Sequence, residues 1–139
     1  MTAKTREDKL AEVPLFQGLS HKQLREISGL MTEVNLKAGK VLTREGSLGQ
    51  EFIVVLDGEI EISHGGKPVA TRGAGTYVGE IALLDNRPRT ATVTAKTDVV
   101  AEVLDRREFT AMLEKSPDIC NQIMATMAQR LAELEDADS

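Results

Sequence analysis

The sequence predicts an α+β fold in which a strand-rich middle lies between two helical ends. Three observations lead to this prediction. Apolar residues recur at helical spacing near both ends, the period shifts toward two over residues 33–104, and turn-forming residues multiply in that middle part. About eight short strands fit into it, which is typical of a sandwich, a jelly roll or a small barrel.

Length and composition indicate one soluble globular domain over residues 1–139. The chain has 139 residues, of which 41% are hydrophobic and 28% charged, and these are ordinary values for such a domain. A chain of this size buries enough surface for one core, and we expect no second core. Aromatic residues are only 3% and tryptophan is absent, so the sequence predicts an aliphatic core.

The net charge and the single cysteine argue against several kinds of partner and site. The formal net charge is -5, which argues against a nucleic-acid partner and against an anionic membrane surface. The single Cys120 can form neither an intramolecular disulfide nor a zinc site, and we expect it to be a buried small hydrophobe. The chain begins without an apolar leader, and no run approaches ~18 apolar residues. We therefore expect a cytoplasmic protein that is complete in one domain.

Residues 1–31 are predicted to form the N-terminal helices. The first thirteen residues are charged, with Leu10 and Val13 at helical spacing, before Pro14 ends that turn. Ser20 and Gln23 have the spacing of a capping box, which predicts a helix over 20–31. Its apolar residues are Leu24, Ile27 and Met31.

Residues 33–104 are predicted to hold the β-structure. Turn signals separate the apolar stretches, including His64-Gly65-Gly66-Lys67, which is typical of a hairpin. The predicted strands are Val34–Leu36, Val41–Thr43, Phe52–Leu56, Glu59–Ser63, Val69–Thr71, Thr76–Val78, Thr90–Ala95 and Val99–Leu104.

Residues 105–135 are predicted to form two C-terminal helices. Asp105 can cap the first, with Glu108 at the third helical position. Ser116 can cap the second, because proline follows at the first helical position. An apolar stripe predicts an amphipathic helix over 117–134, and we expect the acidic residues 133–139 to fray. The stripe contains Cys120, Ile123, Met124, Met127, Leu131 and Leu134.

One stretch, residues 79–93, interrupts the strand pattern with the sequence GEIALLDNRPRTATV. A glycine before a helical turn leaves backbone N–H groups that favour an anion. Arg89 offers a planar fork of donors that matches phosphate oxygens. The segment could therefore hold one phosphate between backbone N–H groups and Arg89. The alternative is that Arg89 only pairs with Asp85 or Glu80 on the surface.

The stretch resembles the phosphate-binding cassette of the cyclic nucleotide-binding domain. This module occurs in protein kinase A regulatory subunits, catabolite activator proteins and cyclic nucleotide-gated channels. Its pattern is Gly-Glu, an aliphatic residue and Ala-Leu, then about four variable residues and Pro-Arg-(Ala/Ser/Thr)-Ala-Thr-Val. The resemblance extends over about residues 15–130 and includes residues 36–42 and 52–60. It implies an eight-stranded β jelly roll (double-stranded β-helix) flanked by N-terminal and C-terminal α-helices.

The resemblance also implies roles for individual residues. Glu80 would accept a hydrogen bond from the ribose 2′-OH, and Arg89 would pair with the exocyclic oxygens of the cyclic phosphate. Backbone N–H groups around Ala82 would bind the same phosphate. Threonine at position 90 occurs in members responsive to cGMP and to cAMP. The implied ligand-binding residues are Gly79, Glu80, Ile81, Ala82, Leu83, Arg89, Thr90, Val69, Val78 and Arg130. The last three would contact the base, Arg130 as a cap from the C-terminal helix, although it could instead be a solvated helix charge.

From these observations we predict a sensor of cAMP, with cGMP as an alternative ligand, and not an enzyme. It would need no cofactor and no metal, because its two histidines lack the pairing of a cupin site. The hinge and lid helices over 105–135 would move when ligand binds. The partner would be an unknown effector protein, with a homodimer as another arrangement. Alternatives are a domain that no longer binds nucleotide, a cupin-type enzyme, and part of a larger channel, kinase or transferase.

Overall fold

Five helical segments flank the β-structure in the computed structural model, which describes residues 6–49, 51–79 and 88–138. The N-terminal segments are α1 (Arg6–Ala11), a 3-10 turn (Pro14–Phe16) and α2 (His21–Leu30). The C-terminal segments are α3 (Arg106–Lys115) and α4 (Pro117–Asp138). Within the described residues, no helix combines the length and the apolar composition that a membrane crossing requires.

The predicted eight strands are confirmed, and they form two antiparallel four-stranded sheets in the jelly-roll arrangement. The first sheet has the order β1-β8-β3-β6 and the second β2-β7-β4-β5. Strand β7 begins two residues later than predicted, because residues 90 and 91 form a bend. The strands are β1 (Thr32–Leu36), β2 (Val41–Thr43), β3 (Glu51–Asp57), β4 (Ile60–His64), β5 (Lys67–Arg72), β6 (Tyr77–Val78), β7 (Thr92–Ala95) and β8 (Val99–Asp105).

Both predicted capping boxes are present. In α2 the Gln23 backbone N–H donates to the Ser20 hydroxyl at 3.1 Å, and the Ser20 N–H donates to the Gln23 side chain at 2.8 Å. In α3 the Glu108 N–H donates to the Asp105 carboxylate at 2.7 Å. These side chains satisfy N–H groups that a helix start leaves without an intrahelical partner, which fixes where both helices begin.

The expectation of one core was wrong, because β3 is buried on both faces. Alternate residues of a strand point to opposite sides of the sheet. Phe52, Val54 and Leu56 belong to a cluster between the first sheet and the helices. Ile53 and Val55 belong to a second cluster between the two sheets. The helices cover one side of the first sheet, and the second sheet covers the other side. The first sheet therefore divides the interior into two layers.

The prediction of an aliphatic core is confirmed, since Phe16, Phe52 and Phe109 are the only aromatic residues among the described buried apolar side chains, and the described ring contacts centre on Phe52. Phe52 lies between Phe16 of the 3-10 turn and Tyr77 of β6. Its ring centroid is 6.0 Å from that of Phe16 in an edge-to-face contact and 5.8 Å from that of Tyr77. Phe109 of α3 is buried in the same cluster. The helices are thus fixed to the first sheet by aromatic as well as aliphatic side chains.

A buried carboxylate connects the N-terminal helices to the first sheet. The Glu102 side chain in β8 is fully buried and forms an ion pair with Arg6 of α1. Arg6 also donates to the carbonyl oxygens of Ser28 at 3.0 Å and Met31 at 2.9 Å, at the end of α2. Burial raises the pKa of Glu102, Arg6 opposes that rise, and nearby Glu33 adds to it.

Helix α4 is longer than predicted and continues to Asp138, so the expectation that the acidic end frays was wrong up to that residue. Alanine, leucine and glutamate are strong helix formers, which accounts for the continuation. Ile119, Cys120, Ile123 and Met127 are buried in the cluster on the helix side, which confirms Cys120 as a buried residue. Burial raises the pKa of its thiol.

Candidate functional site

Arg89 and Gly79, which the sequence places ten residues apart, meet in the structure. The Arg89 guanidinium donates from Nη2 to the backbone carbonyl of Glu51 at the start of β3. Gly79 has a φ of +82°, and a Cβ there would collide with Arg89 Nη1 and with the Glu51 carbonyl oxygen. A Cβ at Gly49 would collide with the same guanidinium from another side. Glycine is therefore required at Gly79, where φ is positive and the clash involves the backbone, whereas a side chain at Gly49 would displace the guanidinium from its observed position.

The backbone of Arg89 is fixed by the turn that precedes β3. Its N–H donates to the Ser47 carbonyl at 2.8 Å, and its own carbonyl accepts from the Gly46 N–H at 2.7 Å. The Glu45 N–H donates to the Thr92 hydroxyl at 3.0 Å. These three hydrogen bonds align the turn with the chain that enters β7. The guanidinium therefore projects from a backbone that is held on both sides.

A cavity of about 520 Å³ opens beside Arg89. Apart from Arg89, its lining comes from β2 with its flanking residues, the turn before β3, and β3 itself. Among the described residues, Arg89 is the only predicted site residue that lines it. The cavity therefore shows that Arg89 borders an open space, and it does not by itself outline the predicted ligand pocket.

Val69 lies on β5 at a β-bulge. Ile62 pairs with Ala70 and Ser63 pairs with Pro68, so β5 has one residue more than β4 between these pairs, and that residue is Val69. Its exposed fraction is 63%, which is high for a large apolar side chain. Bulges redirect side chains, and here one presents an apolar group on the surface of the second sheet.

The remaining predicted residues differ in how far the structure describes them. Val78 pairs with Ile53 and packs, half-buried, against the cluster between the sheets. Thr90 is exposed in the bend after Arg89. Glu80, Ile81, Ala82 and Leu83 lie outside the described residues. Arg130 lies on α4, but its side chain is not among those described.

Sequence reasoning missed His64, which it placed only in the hairpin turn. The His64 ring donates from Nδ1 to the Thr90 carbonyl oxygen at 2.9 Å. No local sequence pattern could have shown this contact, because the two residues are 26 positions apart and one partner is a backbone atom. Within residues 6–49, 51–79 and 88–138, no group of three or more His, Cys, Asp or Glu side chains is placed to hold a metal ion.

The fold and the arginine site together define a jelly-roll ligand-binding domain with helices at both ends. The family model of the cyclic nucleotide-binding domain matches residues 33–116. The cAMP-dependent protein kinase regulatory subunit of Schizosaccharomyces pombe is 36% identical over 123 residues, covering 87% of this chain and 30% of that protein. A cyclic nucleotide-gated potassium channel of Rhizobium etli is 35% identical over 121 residues, covering 87% of this chain and 34% of the channel.

A solved structure agrees in shape as well as sequence. The N-terminal domain of a transcriptional regulator from Streptomyces coelicolor superposes with a TM-score of 0.86 at 31% identity, covering 93% of this chain and 96% of that one. The chain belongs to the cyclic nucleotide-binding domain family, whose domains are regulatory. It spans about a third of the length of the two curated relatives.

Proposed function

We propose that the chain binds cAMP, with cGMP as a second ligand, at a site built on residues 79–90 and β5. The observation that carries this proposal is the contact of Arg89 with Gly79. Because Gly79 has no Cβ, the half-buried guanidinium lies directly against the backbone of this segment, where its positive charge would face an anionic ligand. A cyclic phosphate is a monoanion, and the planar guanidinium fork matches its two exocyclic oxygens.

In this proposal the neighbouring residues complete the recognition of the sugar and phosphate. The backbone N–H of Ala82, with that of Ile81 or Leu83, would donate to the phosphate, as at a helix start. Glu80 would accept a hydrogen bond from the ribose 2′-OH. Arg89 supplies the counter-charge, and its Nη2 would exchange the Glu51 carbonyl for a phosphate oxygen.

The base would lie against the second sheet. Val69 is the strongest candidate for this contact because its bulged position exposes an apolar side chain. Thr90 would contact both base and phosphate, Val78 would contribute from the sheet interior, and Arg130 would cap the base from α4. We expect cAMP to bind about as tightly as 1 μM or better, with cGMP within about tenfold.

We further propose that the domain acts as a cytoplasmic sensor without catalysis or cofactor, and that it transmits binding to an effector protein. Its C-terminal helices would be the moving part. The buried residues of α4 from Ile119 to Met127 belong to the cluster between the helices and the first sheet, and Gln122 donates to the Gln17 carbonyl, just after the 3-10 turn, at 3.3 Å. A ligand that favours a different position of α4 would shift the equilibrium between the two positions.

Titration calorimetry with cAMP and cGMP tests this proposal. Arg89→Ala should weaken binding by about 2–5 kcal/mol, which is the usual cost of truncating one partner of a buried charge pair. Arg89→Lys should recover part of the loss, since it keeps the charge and loses the fork. Arg25→Ala, at an exposed arginine of α2, is the matched control and should bind like the wild type.

Thermal unfolding separates binding from folding. A ligand at 100-fold its dissociation constant should stabilise the wild type by roughly 2.7 kcal/mol. The absence of binding to either nucleotide at millimolar concentration would refute the proposal. Equal affinities of the wild type and a folded Arg89→Ala variant would refute the role of Arg89.

A further inference from the structure

Three chain segments meet beside the bend at Thr90. They are the turn before β3, the tip of the β4–β5 hairpin, and the residues that lead into β7. His64 at the hairpin tip donates from Nδ1 to the Thr90 carbonyl oxygen at 2.9 Å. Glu45 of the turn places Oε1 3.5 Å from the same Nδ1 and accepts from the Gly65 N–H at 2.9 Å. One imidazole and one carboxylate thus join all three segments.

The neighbours of His64 determine where its proton resides. A backbone carbonyl and a carboxylate can only accept hydrogen bonds, so Nδ1 must carry the hydrogen. The Glu45 carboxylate favours the same arrangement, because it attracts the positive end of the Nδ1–H bond. Nδ1 is therefore the donor in the contact with Thr90.

His64 acts at a position where the backbone is otherwise held on both sides. The peptide groups of Arg89 bond to Ser47 and Gly46, and Thr92 begins the regular ladder of β7. Thr90 lies between them in a bend. Its carbonyl receives its hydrogen bond from a side chain, so the orientation of the peptide after Thr90 depends on His64.

We propose that His64 is a positioning residue for cyclic nucleotide binding, which holds the Thr90 peptide so that Arg89 and Thr90 are preorganised for the ligand. This inference rests on the proposed function. Binding is tighter when the protein does not have to order a segment at the moment of association. Without His64 the peptide after Thr90 would sample other orientations. Ordering it on binding would cost free energy and weaken the affinity for the nucleotide.

The surroundings of His64 separate this role from a purely structural one. Its side chain is 67% exposed, and that of Glu45 is 36% exposed. The hairpin joins β4 to β5, and β5 is an edge strand of the second sheet. Exposed hydrogen bonds of this kind contribute little to folding, so we expect affinity to change more than stability.

The test compares two nearly isosteric variants, His64→Leu and His64→Asn. Asparagine places an amide N–H close to the position of Nδ1, whereas leucine has no donor. His64→Leu should weaken cAMP binding by about three- to tenfold, in line with the loss of one hydrogen bond. His64→Asn should stay within about twofold of the wild type. Calorimetry measures the affinities, and thermal unfolding without nucleotide should show similar midpoints for all three proteins.

An NMR signature reports on the contact directly. The Ala91 amide belongs to the peptide whose carbonyl is that of Thr90, so its nitrogen and proton shifts should change in His64→Leu and stay close to wild type in His64→Asn. If wild type binds nucleotide and His64→Leu binds it equally well, the positioning role is overturned and the proposed function stands. A loss of affinity in both variants would overturn the donor role. Failure of the wild type to bind would overturn the proposed function and this inference with it.

Discussion

Removal of the Arg6 side chain should expose how strongly the buried Glu102 depends on its counter-charge. Glu102 is fully buried, so Arg6→Ala leaves a carboxylate in the interior without its cation. Breaking a buried pair in this way costs roughly 3–5 kcal/mol of unfolding free energy. The Arg6 side chain is 35% exposed, which allows some solvent screening, so we expect about 3 kcal/mol at neutral pH.

The cost of Arg6→Ala should depend on pH with a defined sign. Burial raises the pKa of Glu102 above its usual value of 4.5, and removal of Arg6 raises it further. A carboxyl group with a raised pKa favours folding below its unfolded-state pKa, and this contribution is lost as the pH rises through the folded-state pKa. The variant should therefore lose less stability relative to wild type at about pH 5 than at about pH 7.5.

Urea unfolding of four proteins at both pH values measures these effects. Lys9→Ala is the matched control on the same helix, because its ion pair with Asp57 is exposed and should contribute less than about 1 kcal/mol. The double variant Arg6→Ala/Glu102→Gln has no buried charge and should be more stable than Arg6→Ala at neutral pH. The reasoning fails if Arg6→Ala costs no more than Lys9→Ala, or if its cost is the same at both pH values.

Gly58→Ala should destabilise the fold by more than about 2 kcal/mol, since φ is +95° and a Cβ would meet the Asp98 carbonyl. Gly65→Ala, also at positive φ but in open space, should cost about 1 kcal/mol. Equal losses of unfolding free energy in urea would contradict this difference. Thr90→Ala should weaken cGMP more than cAMP in calorimetry, and equal losses would leave Thr90 only a phosphate contact. Amide hydrogen exchange should change in α4 when nucleotide binds, whereas protection confined to residues 79–90 would show a site that does not move the helix.

The strands and helix starts could be predicted because their signals are local. Alternating residues, glycine turns and the Ser20 and Asp105 capping boxes each lie within a few positions of the structure that they specify. The contacts that span the chain could not be predicted this way. Arg6 and Glu102 are 96 residues apart, and each taken alone resembles an ordinary surface charge. Only the alternation of β8, which turns Glu102 toward the helices, brings them together.

The candidate site shows the same division between local and long-range information. The segment 79–93 identified Gly79 and Arg89, because glycine, proline and arginine have local conformational and chemical consequences. The Glu51 carbonyl and His64 carried no such signal. A carbonyl is present in every residue, and a histidine in a hairpin turn is commonly solvated. Their contacts with Arg89 and Thr90 depend on the sheet register, which places the start of β3 and the tip of the β4–β5 hairpin beside this segment.

Strand β3 connects the candidate site to the helices. Its first residue, Glu51, accepts from the Arg89 guanidinium, and the next residue, Phe52, packs between Phe16 and Tyr77 on the helix side. A closely packed interior transmits small displacements, because few voids can absorb them. In the proposed function, Arg89 would donate to a ligand phosphate instead of to the Glu51 carbonyl, so β3 would lose this hydrogen bond at its first residue. The next residue, Phe52, makes the aromatic contact with the 3-10 turn. Since α4 packs on that turn, the site and the C-terminal helix share one continuous set of contacts.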